Sequence, residues 1–429
     1  MFTRPLLVSR RDRPERGQRG VVLILAVFAV VLLAVLAVGI TTAVRVELLA
    51  SRAGLNRTQS LFLAEVGLSQ ARALLLYDDM TIDTLQDPWG PASELALDLP
   101  QEFGSGFYRV RVHDACGRID INEAQHVTLF RLTEDPGAAA AIRDWRDAGS
   151  LPGPDGAEQE YYASLPLPYP PRNGPFQTLG ELLLVRGVTP PMFFGREGKP
   201  GLVDLFTVES ISPNTDAKGN QRVGLNEFRN WGEQAFRDSV MSKVGSVITM
   251  YDANEIFRGL TELVELGLDG YTSLAQLATA AGLDHGKIAQ VIDYLSVDGG
   301  SEVRGKVNVN TASPEVLAVL PGGSAELAAA IVARRNSEPF ASLGEVSGFL
   351  LDQPDGLAVF EQMIDHVTTK SSTFIIESMG WTPSGRGFRA LRALVRRLPD
   401  TVFVVQQAEE DWPLPPPGSE QPPVVMARR

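Results

Sequence analysis

Residues 21–44 read VVLILAVFAVVLLAVLAVGITTAV and carry no charged side chain. As a helix at 1.5 Å per residue they span roughly 36 Å, enough to cross a hydrocarbon layer of about 30 Å. Arg4, Arg10, Arg11, Arg13, Arg16 and Arg19 precede them, against Asp12 and Glu15. A short basic flank stays in the cytoplasm, so the remaining chain is expected across the membrane. A cleaved secretory signal is the alternative, but its apolar core is usually shorter and Thr41-Thr42-Ala43 is a poor cleavage site. Apolar residues continue at Val44, Leu48, Leu55, Phe62, Val66, Ala73 and Leu76, in helical steps of three, four and seven. This predicts one helix over 21–77 that leaves the membrane and buries a face against a soluble domain. Gly39, Gly54 and Gly67 are its weak points, each costing about 1 kcal/mol relative to Ala.

Working outward, the chain has 429 residues and a formal net charge of −13. That length corresponds to about three domains. The acidic balance argues against a surface built to track phosphates. A single cysteine, Cys116, excludes an intramolecular disulfide and a cysteine-rich metal knuckle. The histidines, at 113, 126, 285 and 366, never take the His-Glu-x-x-His spacing. No nucleophile elbow, phosphate loop or dinucleotide fingerprint is present, so no enzymatic activity is expected. His113 stands three residues before Cys116 and could activate it, but a structural cysteine is the simpler reading.

Residues 107–112, FYRVRV, alternate and read as a strand, with 119–121 as a second. Alternation returns at 374–380, 388–397 and 401–405, with Ser384-Gly385-Arg386-Gly387 as a turn. These strands are expected to form one sheet on the long helix, interrupted by everything between. The interruption contains an echo. Residues 117–132, GRIDINEAQHVTLFRL, align with 305–320, GKVNVNTASPEVLAVL, so that Asn122 meets Asn310 and Leu129 meets Leu317. Residues 175–181, PFQTLGE, match 339–345, PFASLGE, and the segments 205–210 and 374–378 resemble each other as closing strands. Two copies do not make a solenoid. Residues 255–266, 274–281 and 286–295 carry further helical pattern, without an assignable role.

Two clusters in the insertion invite ligands. Asp144, Asp147, Asp155 and Glu158 punctuate a Gly-containing loop, and calcium takes six to eight oxygens. The spacing is not that of an EF-hand. In the second copy, Gly322-Gly323 between two helices could turn amides toward a DNA phosphate, with Arg334 and Arg335 nearby. Glu315, Glu326, Glu338 and Glu345 surround those arginines, so protein packing is the preferred reading.

Arg16-Gly17-Gln18-Arg19-Gly20 before Val21-Val22-Leu23-Ile24-Leu25 resembles the class III leader of pilins and pseudopilins. The resemblance implies cleavage by a prepilin peptidase after Gly20, leaving Val21 as the first residue, N-methylated. Most such proteins carry Glu five residues after the cut, whereas this chain has Leu25. The K-type minor pseudopilins of the type II secretion system lack that Glu, and the chain is identified as resembling them. A carboxylate in the bilayer is expensive without an amine to pair with, so its loss fits a subunit with no neighbour above it. The second copy resembles a helix-hairpin-helix module, as found in competence DNA receptors and K-type pseudopilins. K-type chains similarly have Trp-x-Asp followed by Glu and Tyr, and include calcium binders; Gly149 stands here where another Asp would be expected.

The fold class implied is α+β, with a pilin-like long N-terminal helix packed on an antiparallel sheet. A large, mostly α-helical insertion would contain helix-hairpin-helix-like repeats. The expected divisions are a leader at 1–20, a transmembrane part at 21–44, helix and first strands at 45–121, the insertion at 122–366, final strands at 367–410, and a Pro-rich tail at 411–429. The implied function is to cap the tip of a periplasmic pseudopilus that pushes folded proteins through the outer membrane. The implied partners are other minor pseudopilins, the major pseudopilin, prepilin peptidase and the inner membrane, with no cofactor required and calcium possible. A membrane-anchored DNA receptor for uptake is the alternative, and a membrane-anchored enzyme is a third class.

Overall fold

The computed structural model describes residues 18–95, 97–196, 198–230, 232–280, 282–297, 299–383 and 388–410. The helix Gln18–Tyr77 runs unbroken for 60 residues, about 90 Å. It is the one helix among the described residues long and apolar enough to cross a membrane, and its apolar window is wholly exposed.

The helix meets the folded body later than the apolar stripe predicts, and on a different face. Val44 is 51% and Phe62 60% exposed, and Leu48 and Leu55 are exposed as well. The buried face is Ser60, Leu63, Ala64, Leu68, Ala71 and Leu75. The reason is the closeness of the approach. A Cβ at Gly67 would overlap the Ser378 side chain, and one at Gly380 would overlap the Ser60 carbonyl. Ser378 Oγ donates to the Ala64 carbonyl at 2.7 Å. A helix pressed onto a strand backbone selects small residues, which a hydrophobic stripe does not mark. Gly67, a weak point by propensity, is where the helix crosses the sheet.

The sheet has five antiparallel strands, in the spatial order Gln101–Phe103, Gly106–Asp114, Thr373–Trp381, Phe388–Leu398 and Thr401–Glu410. The sequence-predicted sheet strands are therefore present, except 119–121. The turn predicted at 384–387 lies outside the described residues, as do residues 1–17 of the leader and the tail. The middle strand arrives more than 250 residues after its neighbour. Leu63, Leu68, Leu75, Val110, Phe374 and Val395 form the core between helix and sheet.

The chain leaves the sheet after Asp114 and rejoins it at Thr373, so both edges of the insertion differ from 122 and 366. Ile119–Asp120 pairs in parallel with Phe206–Thr207, not with the sheet. Val307–Asn308 likewise pairs in parallel with Val367–Thr368. The counterpart of the closing strand at 206–207 is thus 367–368; the segment 374–378 belongs to the central strand.

The echo is a true structural repeat. Asn122 Nδ2 donates to the Phe176 carbonyl at 3.1 Å and Phe176 N returns to Asn122 Oδ1 at 2.7 Å. Asn310 and Phe340 exchange the same two bonds at 3.0 and 2.9 Å. Arg146 donates to the carbonyls of Ile121 and Ala124, as Arg335 does to those of Val309 and Ala312.

The structure adds a third copy that pattern reading missed. Val223–Gly224 pairs in parallel with Leu295–Ser296. Asn226 and Tyr271 exchange both bonds at 2.8 Å. Gln276 accepts from Thr272 N, as Glu345 accepts from Ala341 N and Glu181 from Gln177 N. Residues 271–276, YTSLAQ, are the counterpart of FASLGE and FQTLGE. The helical stretch without an assignable role is therefore a middle unit, comprising Glu233–Val244, Met250–Glu265, Leu274–Ala280 and His285–Val291.

Candidate functional site

The acidic loop follows the second helix of the first unit. That helix, Pro136–Arg146, starts on Asp135, whose carboxylate accepts from Gly137 N and Ala138 N, with Pro at its first turn. Its last turn delivers Asp144 inward. Asp144 takes Arg143 at 3.2 Å and Gly153 N at 3.1 Å. Asp147 accepts from Gly149 N at 2.8 Å. Glu158 is 2% exposed, and neither of its carboxylate oxygens has a well-formed hydrogen bond. Burial first, then the charges of Asp144 and Asp147, raise its carboxyl above the ordinary range. A Cβ at Gly149 would lie 2.7 Å from Asp147 Oδ1 and 3.9 Å from Glu158 Oε1, so the position expected to carry another Asp does border the cluster. Asp155 departs from the sequence-predicted set. It is exposed, with φ +59°, and its main-chain carbonyl accepts from Arg186. Trp145 backs the loop, edge-on to Tyr162 with centroids 5.3 Å apart.

A buried carboxylate without a well-formed hydrogen bond, near two others, is a place where a hard cation would be favoured, but these three carboxylates are not gathered within 4.8 Å of one another. A second acidic group, Asp78, Asp83 and Asp87, brings carboxylate oxygens within 4.8 Å of one another. There the positive charge is already supplied. Arg397 donates to Asp78 at 3.1 Å and to both oxygens of Asp83 at 2.6 and 2.8 Å.

That arginine centres a buried junction between stem and insertion, which sequence reasoning missed. Arg397 also donates to the Ser371 carbonyl and lies 4.8 Å over the Phe374 ring. Asp114 Oδ2 accepts from Asn308, Thr311 and Ser371. Burial raises both Asp83, to about 8, and Asp114. The signal available in sequence was an arginine at an inward position of an alternating strand.

The hairpin of the third unit is turned to protein. Gly322 faces the helix Gly356–Met363, Gly323 N donates to the Leu320 carbonyl, and Arg131 donates to the same oxygen. Arg335 is buried in its own unit. Arg334 lies 5.2 Å over the Phe340 ring and pairs with Glu338 and Glu345. The four residues predicted for DNA do not form one exposed basic surface. Cys116 is buried, its thiol pushed well up by burial and by Asp114, and His113 faces Glu377 at 3.4 Å. Gly20 and Val21 lie within the exposed start of the long helix.

These features define a class: a chain with one exposed apolar helix, an antiparallel sheet on that helix, and a multi-unit helical body inserted between sheet strands. Models of the family "Type II secretion system (T2SS), protein K" match residues 125–194 and 307–365, within the first and third units. The type II secretion system protein K of Pectobacterium carotovorum subsp. carotovorum is 41% identical over 54 residues; the match covers 13% of this chain and spans 16% of that relative's length. A chain in the crystal structure of the GspK-GspI-GspJ complex from the enterotoxigenic Escherichia coli Type 2 Secretion System aligns with a TM-score of 0.45 and 13% identity, covering 85% of this chain and 100% of that one. Two of the three units of this chain thus resemble the type II secretion system protein K family, as its paired motifs imply.

Proposed function

We propose that this chain is a minor pseudopilin that caps the tip of a periplasmic pseudopilus. The observation that carries the reading is one continuous helix, exposed and apolar at its start, that ends against a sheet bearing a three-unit insertion. The exposed stripe Val44, Leu48, Leu55 and Phe62 offers neighbouring pseudopilin helices a surface that the chain's own domain leaves uncovered. The bulk of the insertion favours the end of a filament over its shaft. Leu25 in place of a carboxylate accords with having no subunit above. The proposed orientation puts the N-terminus in the cytoplasm and the folded body in the periplasm. The role is mechanical, and no reaction is assigned.

Calcium is part of the proposal. Asp144, Asp147 and Glu158 would hold it, and it would supply the positive charge that this buried group lacks. Helix-hairpin-helix character, where present, serves packing between helices. The DNA-receptor alternative is disfavoured by a net charge of −13 and by the burial of Arg335.

The first test is the N-terminus of the membrane-extracted protein, by mass spectrometry with and without prepilin peptidase. A peptidase-dependent start at Val21 is expected; an intact Met1 in both samples overturns the pilin reading. Tip position is tested separately by gold-labelling assembled filaments. Label at one end is expected, and label along the shaft sinks the capping role.

A further inference from the structure

The second and third units pack on each other through equivalent surfaces. Leu274 N donates to Asp365 Oδ1 at 2.9 Å, and Leu343 N, its counterpart, donates to Asp293 Oδ1 at 3.2 Å. Each unit thus caps the other with an aspartate two residues before its own closing strand, the reciprocity of a two-fold interface. Each aspartate ends a similar run, 289–293 AQVID in the second unit and 361–365 EQMID in the third. The start of the run packs as well. Gly344, next to Leu343, sits so close to the Ala289 carbonyl that no Cβ fits.

The first unit carries the same surface, with Leu179 and Gly180 as the counterparts of Leu343 and Gly344. There it is open. A Cβ at Gly180 would meet only Thr178 Oγ1, at 3.8 Å. The surface looks across a cleft of about 300 Å³ to the outer face of the sheet. Leu179, Phe193 and Val203 line one wall; Ile375, Leu394 and Ala408 line the other. Arg392 is the one charged side chain among the described residues that line it. That volume is at the lower end of protein ligand sites, room for the end of a helix and not for a folded unit. An apolar cleft with a single cation is complementary to an apolar ligand bearing one carboxylate.

We propose that the cleft receives the acidic end of a helix from a partner protein, a helix whose last apolar residues lead into an aspartate as the two internal runs do. The apolar residues lie between the two walls, and their burial supplies most of the binding energy. The carboxylate faces Arg392 and sets the orientation; in the register of the other two units it also meets the Leu179 amide. The chain already uses this pairing twice within itself, between its second and third units, so the chemistry that fits the third such surface is the one the other two accept.

The probe is a fluorescein-labelled peptide of residues 285–296, HGKIAQVIDYLS, titrated against the detergent-solubilised full chain by anisotropy. Saturable binding is expected. Ala408→Trp, which fills the cleft from an exposed position, should weaken it at least tenfold. No saturable binding overturns the proposal. So does binding that Ala408→Trp leaves unchanged, because the peptide has then invaded the contact between the second and third units. A double-mutant cycle reads the charge separately. Arg392→Gln in the chain should weaken the peptide that keeps Asp293 and leave its Asp293→Asn form unaffected. Equal losses for the two peptides overturn the pairing of the carboxylate with Arg392.

Discussion

At the residue scale, single side chains decide the chemistry. Glu158 has no counter-charge of its own, so Glu158→Gln should abolish any calcium-dependent rise in melting temperature. The unsubstituted chain should gain several degrees in excess calcium over chelator, since binding only the folded state stabilises it. Equal melting temperatures in both conditions would falsify the calcium reading. Arg397 is the opposite case, a buried cation with its partners present. Arg397→Met leaves Asp83 buried without its cation and should cost roughly 3–5 kcal/mol in urea unfolding. Asp120 offers a pH test. Burial raises its carboxyl to about 6, against the amides of Ser210 and Asn122 that favour its charged form. The folded state then holds a proton that the unfolded state has lost, between about pH 4 and about pH 6. Its contribution to stability is full below that window and falls across it, by roughly 3 kcal/mol. Asp120→Asn should remove that part of the slope. The third unit already has Asn308 at this position, with Asn310 N donating to its Oδ1.

At the element scale, the helix and the sheet test different physics. Gly380→Val forces a side chain against the Ser60 carbonyl and should lower stability by at least roughly 1–3 kcal/mol, measured by thermal melting. The long helix and the strands around Phe107, Phe374 and Thr401 were legible because their periodicities are plain. The buried face of the helix was not, because its leucines Leu63, Leu68 and Leu75 are interleaved with Ser60, Ala64, Gly67 and Ala71, and smallness has no hydrophobic signature. Ile119–Asp120 read correctly as a strand but not as to its partner, since two residues of extended chain carry no pairing information. Two repeats were legible through Asn122 and Asn310. The third escaped because the Asn-to-aromatic separation varies, at 54, 45 and 30 residues in chain order. In the acidic loop, spacing grouped Asp144, Asp147, Asp155 and Glu158, and it could not tell that Asp155 stands exposed in a left-handed turn.

At the scale of the whole molecule, the middle unit is an insertion with adjacent ends. Ile211–Pro213 pairs with Glu302–Arg304, and Asn214 N donates to the Ser301 carbonyl. Removing residues 215–300 and joining the ends with a short turn should leave the stem folded. The third unit should then lose its reciprocal partner, with faster hydrogen exchange across Leu343–Leu351. Unchanged exchange there would mean that the two units are neighbours without being coupled.

The central strand also sets a schedule. A ribosome delivers the helix and Gly106–Asp114 first, then the three units, and only then Thr373–Trp381. At about 5–20 residues per second, tens of seconds separate the two sides of that ladder. During that interval the units can fold, while the stem waits with Val110 and Val112 lacking the strand that completes their core. The portion made after the three units is therefore the one that closes the stem, and a nascent chain cut short before it has a helix with no finished sheet to rest on.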